Sequence, residues 1–139
     1  MASFNKFQPF VENLAEKVFN LGSDTLKVLL TNSAPAAANG VKSDLTEISA
    51  GSGYTAGGAT ASIASSAQTS GTYKLVLGDV TITASGGSIG PFRYAVLYDD
   101  TAASDQLIGF WDYGSSITLA DGESITVDFD ASAGVLTIA

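Results

Sequence analysis

The sequence predicts a mainly β fold: an antiparallel β-sandwich or flattened barrel of about seven to eight strands, with one N-terminal amphipathic helix packed on it. Three observations carry this. The stretch 92–113, FRYAVLYDDTAASDQLIGFWDY, reads as two apolar strands joined by a polar, acidic reversal. Near the N-terminus, Phe4, Phe7, Val11, Leu14, Val18 and Leu21 alternate at spacings of three and four, the stripe of an amphipathic helix. From residue 72 onward, short alternating segments recur between Gly, Ser and Asp turn signals. With 139 residues, the chain fits a single domain, 1–139.

In chain order, the helix is expected over about 8–21. Pro9 suits its first turn, Phe4 and Phe7 lie on a turn leading in, and Gly22 ends it as a left-handed cap. Burying each apolar side chain of the stripe is worth about 1.5–3 kcal/mol, so this face must dock. It covers one face of the sheet, or Phe4, Phe7 and Phe10 dock on a neighbouring subunit.

Residues 25–31, TLKVLLT, form the first strand. From 34 to 72 the chain is Ala, Ser, Gly and Thr, with few large side chains, chiefly Val41, Leu45, Ile48, Tyr54 and Ile63. Such stretches bury little area and lose much backbone entropy on ordering. Two readings are open: a surface loop with a helical turn near 43–48, capped by Ser43, and a short strand near 60–65, or an arm ordered against a partner. In the second reading Tyr54 and Ile63 are contact residues, together with Phe4, Phe7 and Phe10.

Residues 72–85 alternate through Tyr73, Leu75 and Leu77, then change parity at Gly78-Asp79 to Val80 and Ile82, as a bent strand or two strands meeting at a kink do. In the 92–113 hairpin, strict alternation groups Phe92, Tyr94, Val96 and Tyr98, and likewise Leu107, Gly109, Trp111 and Tyr113. The opposite faces carry Ala95, Leu97, Ile108 and Phe110, so the hairpin is covered on both sides and sits centrally. Strands at 116–119, 124–129 and 134–139, with a tight turn at Asp121-Gly122, complete a β core of 25–31 and 72–139.

Six Lys and Arg stand against 14 Asp and Glu, a net charge of −8, and the basic residues form no stripe, so a nucleic-acid partner is disfavoured. Cys and His are absent, which removes thiol nucleophiles, Ser-His pairs, thiolate zinc sites and imidazole acid/base chemistry. No apolar run reaches the roughly 18 residues of a membrane helix, and the opening MASFNKF lacks the apolar stretch of a signal peptide, so synthesis in a cytoplasm is expected.

Four acidic or aromatic constellations remain. Asp128, Asp130, Ser132 and Gly134 alternate as in a calcium loop, but the glycine is one position late and the twelfth position is Ala139, so a solvated turn is the better reading. Asp99, Asp100 and Asp105 crowd the hairpin loop, where carboxylates can gather a hard cation and usually are merely solvated. Nothing in the sequence sets Asp112 or Glu123 across a cleft from Asp99 as a glycosidase requires. Tyr54, Tyr73, Tyr94, Tyr98, Trp111 and Tyr113 could build a sugar platform, although core packing explains most of them. The glycine pairs at 57–58 and 86–87 match no phosphate-binding loop. The expectation is a protein that is not an enzyme, with no catalytic residue, cofactor or metal ligand.

The segments FNKFQPFVENLAEKVFNLGSDTLKVLLTNSAP, SSAQTSGTYKLVLGDVTITASGG, FRYAVLYDDTA, LIGFWDYGSSITLADGESITVDFD and GVLTIA span nearly the whole chain. Together they resemble a family of small structural proteins encoded by tailed bacteriophages and prophages, some labelled head decoration. The resemblance implies a virion component made in the host cytoplasm and present in many copies. The first expectation is a capsid decoration, or cement, protein on the outer face of the head that bridges subunits of the major capsid protein, with a dimer or trimer expected. A tail or fibre component that binds a host receptor or glycan is the alternative.

Overall fold

A computed structural model describes residues 2–139 and shows a mainly β architecture with antiparallel sheets and one α-helix. The strands are β1 (Phe4–Lys6), β2 (Leu26–Thr31), β3 (Ala59–Ala61), β4 (Ile63–Thr69), β5 (Thr72–Leu77), β6 (Val80–Thr83), β7 (Ile89–Asp99), β8 (Leu107–Leu119), β9 (Ser124–Val127) and β10 (Leu136–Ile138), with α1 spanning Gln8–Ala15. A five-stranded sheet runs β1-β8-β7-β2-β3, with β7 at its centre. Opposite it lie a three-stranded sheet, β10-β5-β4, and a two-stranded one, β6-β9. The main core fills the space between these layers: Leu26, Val28, Leu97 and Trp111 from the large sheet meet Leu75, Leu77, Val80, Ile82 and Val127.

The β7–β8 hairpin is buried on both faces, as its two-sided apolar pattern requires. A second, smaller cluster of Phe7, Leu29, Val96, Tyr98 and Leu107, flanked by Leu45 and Phe110, occupies the outer face of the large sheet. The division of residues between faces departs from strict alternation. Phe92 lies in the main core with Ala95 and Leu97, whereas Val96 and Tyr98 face the smaller cluster. On β8, Trp111 faces the main core and Leu107 does not. Register shifts between Phe92 and Tyr94, and between Leu97 and Tyr98, account for this, because one extra residue in a strand turns the residues beyond it to the other side. Ile108 is such an extra residue: Tyr98 pairs with Leu107 and Leu97 with Gly109.

Among the described residues ten strands form rather than seven or eight. Phe4–Lys6, expected as a lead-in turn, is a strand paired with β8, Phe4 opposite Trp111. Residues 59–69, where the loop reading expects one short strand near 60–65, form two strands, and β3 borders β2 while β4 pairs with β5. The parity change at Gly78-Asp79 is a corner at which the chain leaves β5 and enters β6 in another sheet. Asp79 secures that corner by accepting the Phe129 amide at 2.9 Å. The strand expected at 116–119 is the end of β8.

The helix is shorter than its apolar stripe. It ends at Ala15, and Lys17, not Gly22, takes the left-handed position with φ 68°. The Val18 amide reaches the Asn13 carbonyl at 2.9 Å and the Lys17 amide reaches Leu14 at 3.4 Å, the pair of bonds that defines a Schellman end. Beyond it Phe19 and Leu21 turn inward, Phe19 packing 5.2 Å from Phe10. The apolar spacing therefore continues through a loop and mimics a longer helix.

Candidate functional site

Three of the five residues expected at a partner contact belong to the interior. Phe7 is fully buried, and Phe10 and Tyr54 nearly so. Phe7 fills the outer-face cluster beside Phe110, its ring centroid 5.2 Å away. Tyr54 is part of the main core and closes a polar knot at its rim. Its hydroxyl donates to Glu47 at 2.6 Å and accepts the Leu30 amide at 3.0 Å, and Glu47 also accepts the Gly57 amide at 2.6 Å. Burial and the neighbouring Glu47 carboxylate push the Tyr54 hydroxyl well above its ordinary range, so it remains a donor. Ile63 is half-buried against the core, as is Phe4.

The segment 32–58 thus lies against its own chain. Backbone hydrogen bonds hold it at several points: Gln8 to Ala37 at 2.8 Å, Leu107 to Gly40 at 3.0 Å, Lys42 to Asp105 at 3.0 Å and Ile48 to Leu30 at 3.1 Å. Tyr98 donates to the Gly57 carbonyl at 2.5 Å from the face of the sheet that this segment covers. The helical turn expected at 43–48 is a short 3₁₀ turn at Lys42–Asp44. Asp44, rather than Ser43, caps it by accepting the amides of Gly40 and Val41, which hold its carboxyl below the usual range. Small side chains leave little apolar area here, and backbone hydrogen bonds together with the Tyr98 hydroxyl take its place.

What remains on the surface is an apolar face where α1, β1 and β10 meet. Val11 is 52% exposed and Ile138 45% exposed. Both line a groove of about 400 Å³ with Phe4, Phe10, Leu14 and Leu136. Leu14 and Ile138 continue into a second groove of about 600 Å³ that includes Lys17, Asn20, Asp24, Ser66 and Tyr73. The two end strands contribute free edges: β1 borders the large sheet and β10 the three-stranded one. The N-terminal apolar stripe points to this region through Phe4 and Val11, but Ile138 reaches it only through the pairing of β10 with β5.

The carboxylate constellations resolve into separate local roles. Asp130 accepts the amides of Ser132 and Ala133 and its pKa is held low by them, while Lys74 donates to the Ser132 carbonyl at 2.8 Å, so the 128–134 stretch is a self-contained turn. Asp112 forms a two-pronged pair with Arg93 at 2.7 and 3.0 Å. Asp100 pairs with Lys27 at 3.3 Å. Among the described residues no three acidic side chains converge into a metal cluster, and no helix is long and apolar enough to cross a membrane.

Asp99 differs from the others. It is fully buried, and burial together with the Asp24 carboxylate pushes its carboxyl up to about 7. The folded chain therefore holds this proton up to a higher pH than the unfolded chain, whose ordinary value is 3.8. The associated stability is complete below about pH 4 and is lost as pH rises toward and through 7, at up to about 1.4 kcal/mol per pH unit. Asp44, Asp112 and Asp130, with lowered pKa, act oppositely, and their contributions fade as pH falls below about 4. Thermal denaturation across pH 4–8 is expected to show a falling melting temperature above pH 5 in the wild type and a flatter profile in Asp99→Asn. An unchanged slope in the variant would assign the effect elsewhere.

Comparison with protein-family models, with curated proteins and with solved structures finds no match.

Proposed function

We propose that this chain is a structural binding module that decorates the outer face of a tailed-phage head and bridges subunits of its major capsid protein, with the Val11–Ile138 face as the contact. The observation that carries the reading is this face itself. Two large apolar side chains are left in water in one groove, on a domain that buries its other large apolar residues more deeply, and clustered apolar exposure marks interaction surfaces. Support comes also from the sequence resemblance to phage structural proteins and from the net charge of −8, which suits the outside of a DNA-filled shell better than its interior. A core buried on both faces of its central sheet supplies a rigid body for repeated docking.

The test is co-sedimentation of purified protein with assembled heads that lack it. Wild type is expected to pellet with heads, and the double variant Val11→Asp, Ile138→Asp to lose at least about tenfold in affinity, as two charged groups placed in an apolar contact do. Both positions are exposed, so the melting temperature should change little. Association with tails and not with heads would reject the proposal in favour of a tail or fibre component binding a receptor or glycan. The larger groove, where Tyr73 stands beside Asn20, Asp24 and Lys17, is the observation that favours this second reading.

A further inference from the structure

Strand β4 runs along a free edge. It is the last strand of the order β10-β5-β4, and apart from its ladder with β5 no hydrogen bond among the described residues reaches the backbone of 64–69. A two-residue turn, Ser70 at φ 50° and Gly71 at φ 85°, joins the two strands and pairs Thr69 with Thr72. Alternate residues of an antiparallel ladder bond inward, so Ser65, Ala67 and Thr69 bond to β5, and the amides and carbonyls of Ser66 and Gln68 point out of the sheet. Proteins blunt such edges with charged residues, Pro or short strands. Here β1, β3 and β10 have three residues each and β6 and β9 have four. β4 has seven, and residues 48–73 contain no charged side chain and no Pro. The bulge between Ile63 and Ser65 leaves 65–69 as the regular part, and all of it is exposed except Ser66, whose hydroxyl bonds Tyr73 at 2.8 Å.

We propose that two copies of this chain pair antiparallel along β4, Ser66 of each opposite Gln68 of the other, with the two Ala67 residues facing across the two-fold axis. In this register the outward groups of one edge meet the outward groups of the other and exchange about four backbone hydrogen bonds. The two Ala67 residues form the closer, non-hydrogen-bonded pair, with Cα atoms about 4.5 Å apart, and a methyl group fits that space. Charge selects a second copy as the occupant. With a net charge of −8, two copies repel each other across most of their surface, and an uncharged edge is where they approach at least cost. The same edge offers an acidic or basic partner no opposite charge to hold. Pairing here leaves the Val11–Ile138 face open, because β10 lies at the opposite edge of the same three-stranded sheet. The dimer then carries two such faces, one for each of two subunits to be bridged. That consequence rests on the docking proposed above, whereas the pairing itself does not.

The experiment is analytical ultracentrifugation of the full chain, without heads, from about 5 to about 500 µM. Wild type is expected to move from monomer to dimer across this range. Its dissociation constant should fall as sodium chloride rises from about 0.02 to about 0.3 M, since salt screens the repulsion between two acidic chains. Ala67→Lys and Ala67→Asp, at an exposed position, each set like charges opposite one another and should raise the dissociation constant at least about fivefold. Mixing the two variants should restore a dimer, which also shows that both are folded. A wild type that stays monomeric would overturn the pairing and leave the docking test on heads standing. Dimers of both variants as tight as wild type would overturn it too, moving the contact to another surface. Failure of the mixture to recover would rule out the Ala67 register, and a dimer weakened by salt would show opposite charges holding it instead of this edge.

Discussion

Replacing Gly58 by Ala is expected to destabilise the fold by about 3 kcal/mol and lower the melting temperature by about 10 °C. Gly58 has φ 82°, a region in which a side chain costs about 1–2 kcal/mol. A methyl group there would also run into the Val28 carbonyl, a backbone atom of the central sheet that cannot swing aside. The position matters because Gly58 leads into β3, whose Ala59 pairs with Val28, and it comes directly after the Gly57 carbonyl that Tyr98 holds. Loss of the close approach should therefore loosen the whole 32–58 cover, read as faster amide exchange at Gly57 and Ile48. Gly71→Ala provides the control: its φ is 85° but no atom lies within 4 Å of the added methyl, so only the conformational cost of about 1 kcal/mol should appear. Equal losses at the two positions would show that the contact with Val28 carries no weight.

Trp111→Ala is expected to cost about 4 kcal/mol, measured by urea denaturation followed by circular dichroism. The indole lies in the main core and joins three parts of the chain. Phe4 of β1 packs on it at 5.2 Å, and Phe129 meets it edge-on at 5.4 Å. Gly109, one pleat away, makes room for the Phe4 ring, since a Cβ there would overlap Phe4. Without the indole, β1 keeps only short edge pairing, and its amides should exchange before the rest of the sheet. Trp111→Phe should restore more than half of the loss, because a phenyl ring still reaches Phe4. A variant in which β1 remains protected would mean that backbone pairing with β8 suffices.

Much of the fold is legible in the sequence. The antiparallel β class, the doubly buried hairpin and the kink at Gly78-Asp79 come from side-chain period and turn residues, which act over a few neighbouring positions. The helix exists where its stripe begins, yet Phe19 and Leu21 extend the stripe past the true end, because a loop folded inward buries residues at helical spacing too. Strict alternation misassigns Phe92 on β7 and Leu107 and Ile108 on β8, since bulges depend on the partner strand and leave no mark in a strand's own alternation.

The candidate site is less legible. Val11 and Phe4 could be suspected, but Phe7, Phe10 and Tyr54 carry the same apolar signal and lie inside. Asp99 is visible as one of three loop acids, and nothing in the sequence distinguishes it from Asp100, which pairs with Lys27, or links it to Asp24, 75 positions earlier. Composition and local pattern are enough to specify the kind of architecture and to remove histidine and cysteine chemistry, because both depend on which residues are present and on spacings of two to four. Which apolar groups face water, where the 32–58 segment comes to rest and which carboxylate is buried depend on contacts between distant segments. Such contacts form when loop-closure entropy is offset by packing and hydrogen bonding, which only the assembled chain provides.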